Sequence, residues 1–168
     1  MPTQHDPETN LLGTELLRVL RECLYGSEEN GAFLDPGDNG LLGLLPRLSA
    51  NEASLPAAGA SVATHALHVS FSLDVFIDWI SGKRDINPDW QASWARSNVD
   101  DAQWAALLRR LKAQCATLEA AVETHMLMDD QSAWGALGAL AHTAYHLGVI
   151  QVKLDVLRSG KNAAPRNA

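Results

Sequence analysis

The chain has 168 residues, 46% of them hydrophobic, and carries 20 acidic against 13 basic residues, a net charge of −7. This length allows one domain with a sizeable core, and this composition excludes a disordered chain. The acidic balance also argues against nucleic-acid binding, because phosphate contacts need clustered Lys and Arg.

The first residues lack the basic segment and apolar run of a signal peptide, and no uncharged apolar stretch is long enough to span a bilayer. We therefore expect a cytoplasmic protein without membrane contact. Cys23 and Cys115 show no metal-ligand spacing. In a reducing compartment, both are predicted to be buried thiols.

After a loose polar tail over residues 1–8, a first helix is predicted at about 9–26, capped by Thr9 or Asn10 and ended by Gly26. Glycines and prolines then interrupt residues 27–56, yet leucines are frequent among them. We expect this segment to be a long ordered connection packed over the helices.

Three more helices are predicted at about 61–81, 100–126 and 131–159, the last one ended by Ser159 and Gly160. Residues 83–98 form a second long connection that contains Trp90 and Trp94, and the tail from residue 161 should fray. Four long helical patterns without a convincing strand predict an all-α four-helix bundle. We expect a single domain over residues 1–168, with its core at about 9–159.

Histidines fall in two tight groups, His65 with His68 and His142 with His146. The second group is His-x-x-x-His on a helix, a spacing that places both rings on one face, within reach of one ion. Two imidazoles that point into an apolar interior need partners, and a metal ion would serve both. The alternative is a plain helical bundle with stacked core histidines and no metal.

The segments SVATHALHV (residues 61–69) and AHTAYHLGVI (residues 141–150) resemble the second-helix and fourth-helix motifs of the DinB-like, or DinB/YfiT-like, proteins. In that family Ser or Thr opens the second helix and a ligand histidine follows seven residues later, which corresponds to His68. The stretch from residue 40 to 54 and the Trp90/Trp94 pair resemble one uncharacterised branch. Leu147 and Val149 replace an Arg and a Gln that follow the motif in many relatives.

The resemblance implies a DinB/YfiT-like bundle in which His68, His142 and His146 hold a divalent transition metal such as Zn, Ni or Fe. Spacing alone accepts either His65 or His68 as ligand. If His68 is the ligand, His65 is a supporting histidine. We also expect a pocket at the histidines, lined partly by Ser72 and Trp79 and roofed by residues 40–54, while His5 and His125 are bystanders.

Three protein ligands leave a coordination position open, as in catalytic metal sites. The resemblance implies a metal-dependent transferase or hydrolase acting with a low-molecular-weight thiol or another small molecule; no catalytic side chain is assigned. The alternative is a non-catalytic metal-binding or stress-related interaction protein. Ala141, Ala144 and Gly148 form a small-residue face on the fourth helix. This face allows close contact either with a neighbouring helix or with a second subunit in a homodimer.

Overall fold

The computed structural model describes residues 7–125 and 129–163, with side chains for 11–125 and 129–159. This part of the chain is helical and contains no β-strand, only the isolated bridges Ser27–Gly37 and Pro56–Ser61. The α-helices are α1 (Pro7–Tyr25), α2 (Leu41–Leu44), α3 (Ala50–Ser54), α4 (Val62–Ile80), α5 (Asp101–His125) and α6 (Asp130–Ala163). Two 3₁₀ turns cover Leu45–Arg47 and Ala92–Trp94. The predicted all-α class is confirmed.

Two predicted helix ends were wrong. The first helix begins at Pro7, within the expected loose tail. Proline suits the first turn of a helix, where its missing N–H has no partner to lose. The last helix continues through Ser159 and Gly160 to Ala163; a single glycine costs a helix only about 1 kcal/mol. The rest of the predicted tails, residues 1–6 and 164–168, and the predicted end of the third helix at residue 126 lie outside the described residues.

Helix α4 lies at the centre of the fold and packs against both α5 and α6, while α1 packs against α6 and α5. Ser61 caps α4 by accepting a hydrogen bond from the Thr64 N–H. The contact between α4 and α6 is close at two glycines. A Cβ on Gly138 would lie 2.9 Å from Phe76 Cε1, and one on Gly135 would lie 3.1 Å from Ile80 Cγ1. This close approach brings the histidines of the two helices together.

Residues 26–61, here called the leucine connection, include α2 and α3 and pack against α1, α4 and α5. Leu41 and Leu45 are fully buried, and Trp104 Nε1 donates a 2.9 Å hydrogen bond to the Leu48 carbonyl. The start of the connection is held by the buried carboxylate of Glu22, which accepts the backbone N–H groups of residues 32, 33 and 34. The predicted ordered connection is therefore present, with two short helices in it.

Residues 81–100, here called the tryptophan connection, join α4 to α5. Val99 is their one buried side chain. This connection is tied to the beginning of α4, because the Ser61 hydroxyl donates a 2.7 Å hydrogen bond to the Ser97 carbonyl. Over the described residues, none of the helices has the length and apolar character needed to cross a membrane.

Candidate metal centre

Two histidines of α4 face two histidines of α6. His68, His142 and His146 each offer one ring nitrogen, and these three nitrogens lie within 4.8 Å of one another. The Nε2 atoms of His68 and His142 are 3.1 Å apart. His68 and His146 are buried and His142 is half-buried, so the group opens toward solvent on the His142 side.

The hydrogen-bond partner of His68 determines which of its nitrogens is free. The Ser93 hydroxyl lies 2.7 Å from His68 Nδ1 and donates its only proton to the Trp90 carbonyl. Ser93 must therefore accept from His68, which places the ring proton on Nδ1. His68 Nε2 then carries a lone pair that is directed at His142. This is the tautomer that a metal ligand needs.

His65 lies behind His146. The Nδ1 atoms of these two rings are 3.0 Å apart and share one proton in a hydrogen bond. With the His146 Nδ1–H as donor, His146 Nε2 keeps a lone pair for an ion. His65 is not in the three-nitrogen group, which contains His68 instead. A ring that fixes the outer nitrogen of a ligating histidine orients that ligand.

The two expected pocket residues, Ser72 and Trp79, lie at different distances from the histidine group. The Ser72 hydroxyl is buried, donates to the His68 carbonyl at 2.7 Å and lies 3.5 Å from His142 Nε2. Trp79 lies one ring further out, 6.2 Å from Trp90, whose ring centre is 6.2 Å from that of His142. Ser72 therefore touches the histidine group directly, and Trp79 supports it through Trp90.

The tryptophan connection covers the histidines. The Trp94 ring stacks on His68 at 4.0 Å and meets His65 edge-on at 5.2 Å. Trp90 lies 6.0 Å from His68. Residues 40–54 were expected in this position. Their leucines instead join the hydrophobic core, where α2 packs against α1 and α5 and α3 packs against α4 and α5.

Burial keeps the cluster neutral. It lowers the pKa of His65 and of His68 to about 4; the charge of Lys153 adds to the effect at His65, and repulsion from protonated His142 and His65 would add to it at His68. Burial and the three other histidines lower the pKa of His146 to about 3, and burial also lowers that of His142. Neutral imidazoles with available lone pairs are the form in which histidine binds metal ions.

Other candidate groups lie apart from this centre. Cys23 and Cys115 are free, buried thiols, as predicted, and burial raises their pKa values to about 11 and about 12. His125 lies at the end of α5 and is not in the three-nitrogen group, while His5 is outside the described residues. A buried thiol with a raised pKa is a poor nucleophile, which excludes both cysteines as activated thiolates in this state.

Ser93 and Trp94 are the site residues that sequence reasoning missed. They lie in a connection without helical periodicity, so no pattern of spacing could place them against α4. The spacing of Trp90 and Trp94 is visible in the sequence, but it does not predict which surface of the protein the two rings contact. The three imidazoles can hold a divalent metal ion, because their number, their neutrality and their convergence match a three-histidine ligand set.

Comparisons of the chain with protein-family models, with curated proteins and with solved structures found no match.

Proposed function

We propose that this protein binds a divalent transition metal, Zn, Ni or Fe, through His68, His142 and His146 and uses it in a transfer or hydrolysis reaction. The observation that carries this proposal is the convergence of three neutral ring nitrogens from two helices within 4.8 Å. One ion would take a lone pair from each of the three rings in place of the hydrogen bonds that link the histidines without it, such as the one between His68 and His142.

The neighbouring residues have definite tasks in this proposal. Ser93 holds the His68 proton on Nδ1, and His65 fixes the outer nitrogen of His146. Trp94 excludes water from one side of the His68 ring by stacking on it. When bound, the ion would supply Lewis acidity that lowers the pKa of a thiol or a water molecule at the open coordination position.

The half-buried His142 indicates where a small molecule would arrive. Its ring is more exposed than those of the other two ligands, and the Ser72 hydroxyl lies 3.5 Å from its Nε2. The motif resemblance at residues 61–69 and 141–150 supports a DinB/YfiT-like bundle. By that likeness, we propose a low-molecular-weight thiol as the co-substrate.

A second function is favoured by one contact. Trp94 stacks directly on His68, and Trp90 lies beside both His68 and His142. If these rings seal the remaining coordination position, the protein is a non-catalytic metal-binding protein. The two functions make the same prediction for metal content and opposite predictions for access by a thiol.

Metal analysis of untagged protein tests the metal binding that both functions share. After loading with Zn²⁺, Ni²⁺ or Fe²⁺ and gel filtration, we expect one ion per chain by mass spectrometry. The change His142→Ala should remove it while leaving the helical circular dichroism intact, because the leucines carry the core. His125→Ala is the matched control and should retain the ion. Less than about 0.2 ion per chain in the unaltered protein under all three conditions would refute the proposal.

Cobalt substitution separates the two functions. If the position is open, adding a low-molecular-weight thiol to the Co²⁺ protein should produce a thiol-dependent charge-transfer absorption. An unchanged spectrum at millimolar thiol, in a protein that holds one Co²⁺ per chain, would exclude the thiol-dependent enzyme and favour the sealed metal-binding protein.

A further inference from the structure

Helix α6 carries an apolar face that is largely uncovered in the described fold, with only Trp134, near one end of it, packed against the Trp79 ring of α4 at 5.1 Å. Its members recur every three or four residues along the outer side of the helix, and we call them the α6 stripe: Trp134, Leu137, Ala141, Tyr145, Gly148, Val152 and Val156. The five large side chains among them are 45–65% exposed. Single exposed apolar residues are ordinary, but a continuous row on one helix indicates a contact surface.

The glycines of α6 separate internal packing from this outer face. Gly135 and Gly138 are explained by the close approach to Ile80 and Phe76 of α4. A Cβ on Gly148, in contrast, would meet nothing within 4 Å. Since glycine inside a helix costs about 1 kcal/mol relative to alanine, Gly148 has a stability cost that no packing within the chain explains.

We propose that the α6 stripe pairs with the same stripe of a second copy of this chain, antiparallel, about a two-fold axis at Tyr145. The pattern is nearly palindromic about that residue. Trp134 and Val156 each lie eleven positions from it, and Ala141 and Gly148 lie four positions before and three after it. A two-fold axis requires such self-complementarity, because each position meets its counterpart on the other side of the axis.

Side-chain size fits this arrangement as well. Tyr145 is the most exposed large member of the stripe, and the small residues Ala141 and Gly148 flank it by about one helical turn on each side. In an antiparallel pair the Tyr145 ring of one copy would fit over the small residues of the other. Small residues at a helix contact allow the two backbones to approach closely.

The available area is of the size that a dimer needs. Two aromatic and three aliphatic side chains exposed by about half offer on the order of 500 Å² of apolar surface. A standard protein interface buries about 800 Å² per partner, so the stripe would supply most of it and its polar margins the rest.

A membrane surface fits the stripe less well than a second copy. Helices that lie on membranes carry Lys and Arg along their polar margins. In the part of α6 whose side chains are described, the charged residues are Asp130, Lys153, Asp155 and Arg158. Of these, Lys153 is buried and donates to the Ala57 and Ala58 carbonyls. The acidic chain, with a net charge of −7, would also be repelled by anionic lipids.

Sedimentation equilibrium of the full chain between about 1 and 100 µM tests the pairing. We expect a dimer for the unaltered protein. Leu137→Glu and Val152→Glu should each weaken the dimer by roughly 100-fold or more, because each places a charge in the contact. Leu12→Glu, on α1, is the matched control at a similarly exposed leucine (67%) and should leave the dimer unchanged.

Gly148→Leu distinguishes dimer loss from misfolding. A Cβ at this position has open space in the single chain, and leucine has a better helix propensity. The thermal midpoint should therefore hold or rise at a concentration where both proteins are monomeric, while the dimer is lost at higher concentration. A monomeric unaltered protein across the concentration range would overturn the proposal. Dissociation by Leu12→Glu but not by the α6 substitutions would also overturn it.

Cross-linking fixes the direction of the pair. Cys23 and Cys115 are buried, so a single introduced surface cysteine reacts selectively. With a short bis-maleimide, Tyr145→Cys should give a covalent dimer and Trp134→Cys should not, since an antiparallel pair separates the two copies of residue 134. Efficient cross-linking at residue 134 would contradict the antiparallel axis.

Discussion

The leucine connection and the tryptophan connection both join long helices, and both carry large apolar side chains without helical periodicity. They pack against different parts of the molecule. Leu41, Leu44 and Leu45 enter the core against other aliphatic groups. Trp90 and Trp94 instead lie against the imidazoles of α4 and α6, and both tryptophans stay partly exposed.

This difference shows which kind of apolar residue in a connection indicates function. A leucine gains its stability from full burial, so a leucine-rich connection contributes to the core. An aromatic ring can pack on an imidazole while one edge stays in water. The leucine connection should therefore control folding stability, and the tryptophan connection should control the metal centre.

The pH dependence of the metal-free protein gives the largest effect that separates the two regions. The histidine pKa values lie below the unfolded value of 6.5, at about 4 for His65 and His68 and at about 3 for His146. The unfolded chain therefore binds protons first as the pH falls, and stability is lost between pH 6.5 and about 3. At pH 5 the loss should be on the order of 2 kcal/mol for each histidine that stays neutral. Urea denaturation in the presence of a chelator measures it.

The leucine connection should respond in a lower pH window. Burial raises the pKa of the Glu22 carboxyl, but hydrogen bonds from the backbone N–H groups of residues 34, 33 and 32 outweigh this and lower it below 4.5. The stabilisation of the fold by the ionised Glu22 carboxylate is complete above pH 4.5 and is lost as the pH falls below that value. Glu22→Gln should leave the loss between pH 6.5 and 4.5 unchanged, whereas His68→Gln should reduce it. If the two variants lost stability equally between pH 6.5 and 4.5, the two connections would not differ in the way proposed.

A cavity in the leucine connection should give the next largest effect. Leu45 is fully buried, so Leu45→Ala should lower the free energy of unfolding by about 2–5 kcal/mol. Leu55→Ala, at a half-exposed leucine of the same connection, is the control and should change it by less than about 1 kcal/mol. Metal affinity should be the same in both folded variants. A metal affinity that falls with Leu45→Ala would show that this connection also serves the metal centre.

The long helices could be predicted from the sequence because periodic leucines determine which side of a helix is buried. Their ends were less certain, since Pro7 and Gly160 act through small local energies that the surrounding helix can override. The spacing of His142 and His146 also placed two rings on one helix face. That His68, and not His65, joins them depends on the rotation of α4 against α6, which is set by contacts such as Gly138 with Phe76.

The residues around the imidazoles could not be predicted in the same way. Ser93 and Trp94 reach His68 because the tryptophan connection folds back across α4, held by the hydrogen bond from Ser61 to the Ser97 carbonyl. Such a path depends on tertiary contacts that a sequence pattern does not encode. The assignment of residues 40–54 as a roof failed for the same reason, because a leucine-rich segment has no preference between a core and a metal centre until the fold is known.

Removal of the Ser93 hydroxyl should give the smallest effect and the sharpest test of the tryptophan connection. In Ser93→Ala the His68 Nδ1–H loses its acceptor, so the ring can rotate or take the other tautomer. We expect the metal dissociation constant to rise about 10-fold, equivalent to about 1.4 kcal/mol, as for other groups that orient a metal ligand. Ser93→Thr keeps the hydroxyl and should restore the affinity.

Ser97→Ala, which keeps the backbone carbonyl that binds Ser61, is the control and should retain the affinity as well. Competition with a zinc-sensitive dye measures all three. If Ser93→Ala binds the ion as tightly as Ser97→Ala and the unaltered protein do, the tryptophan connection covers the histidines without orienting them. The tautomer of His68 would then be set by the ion itself.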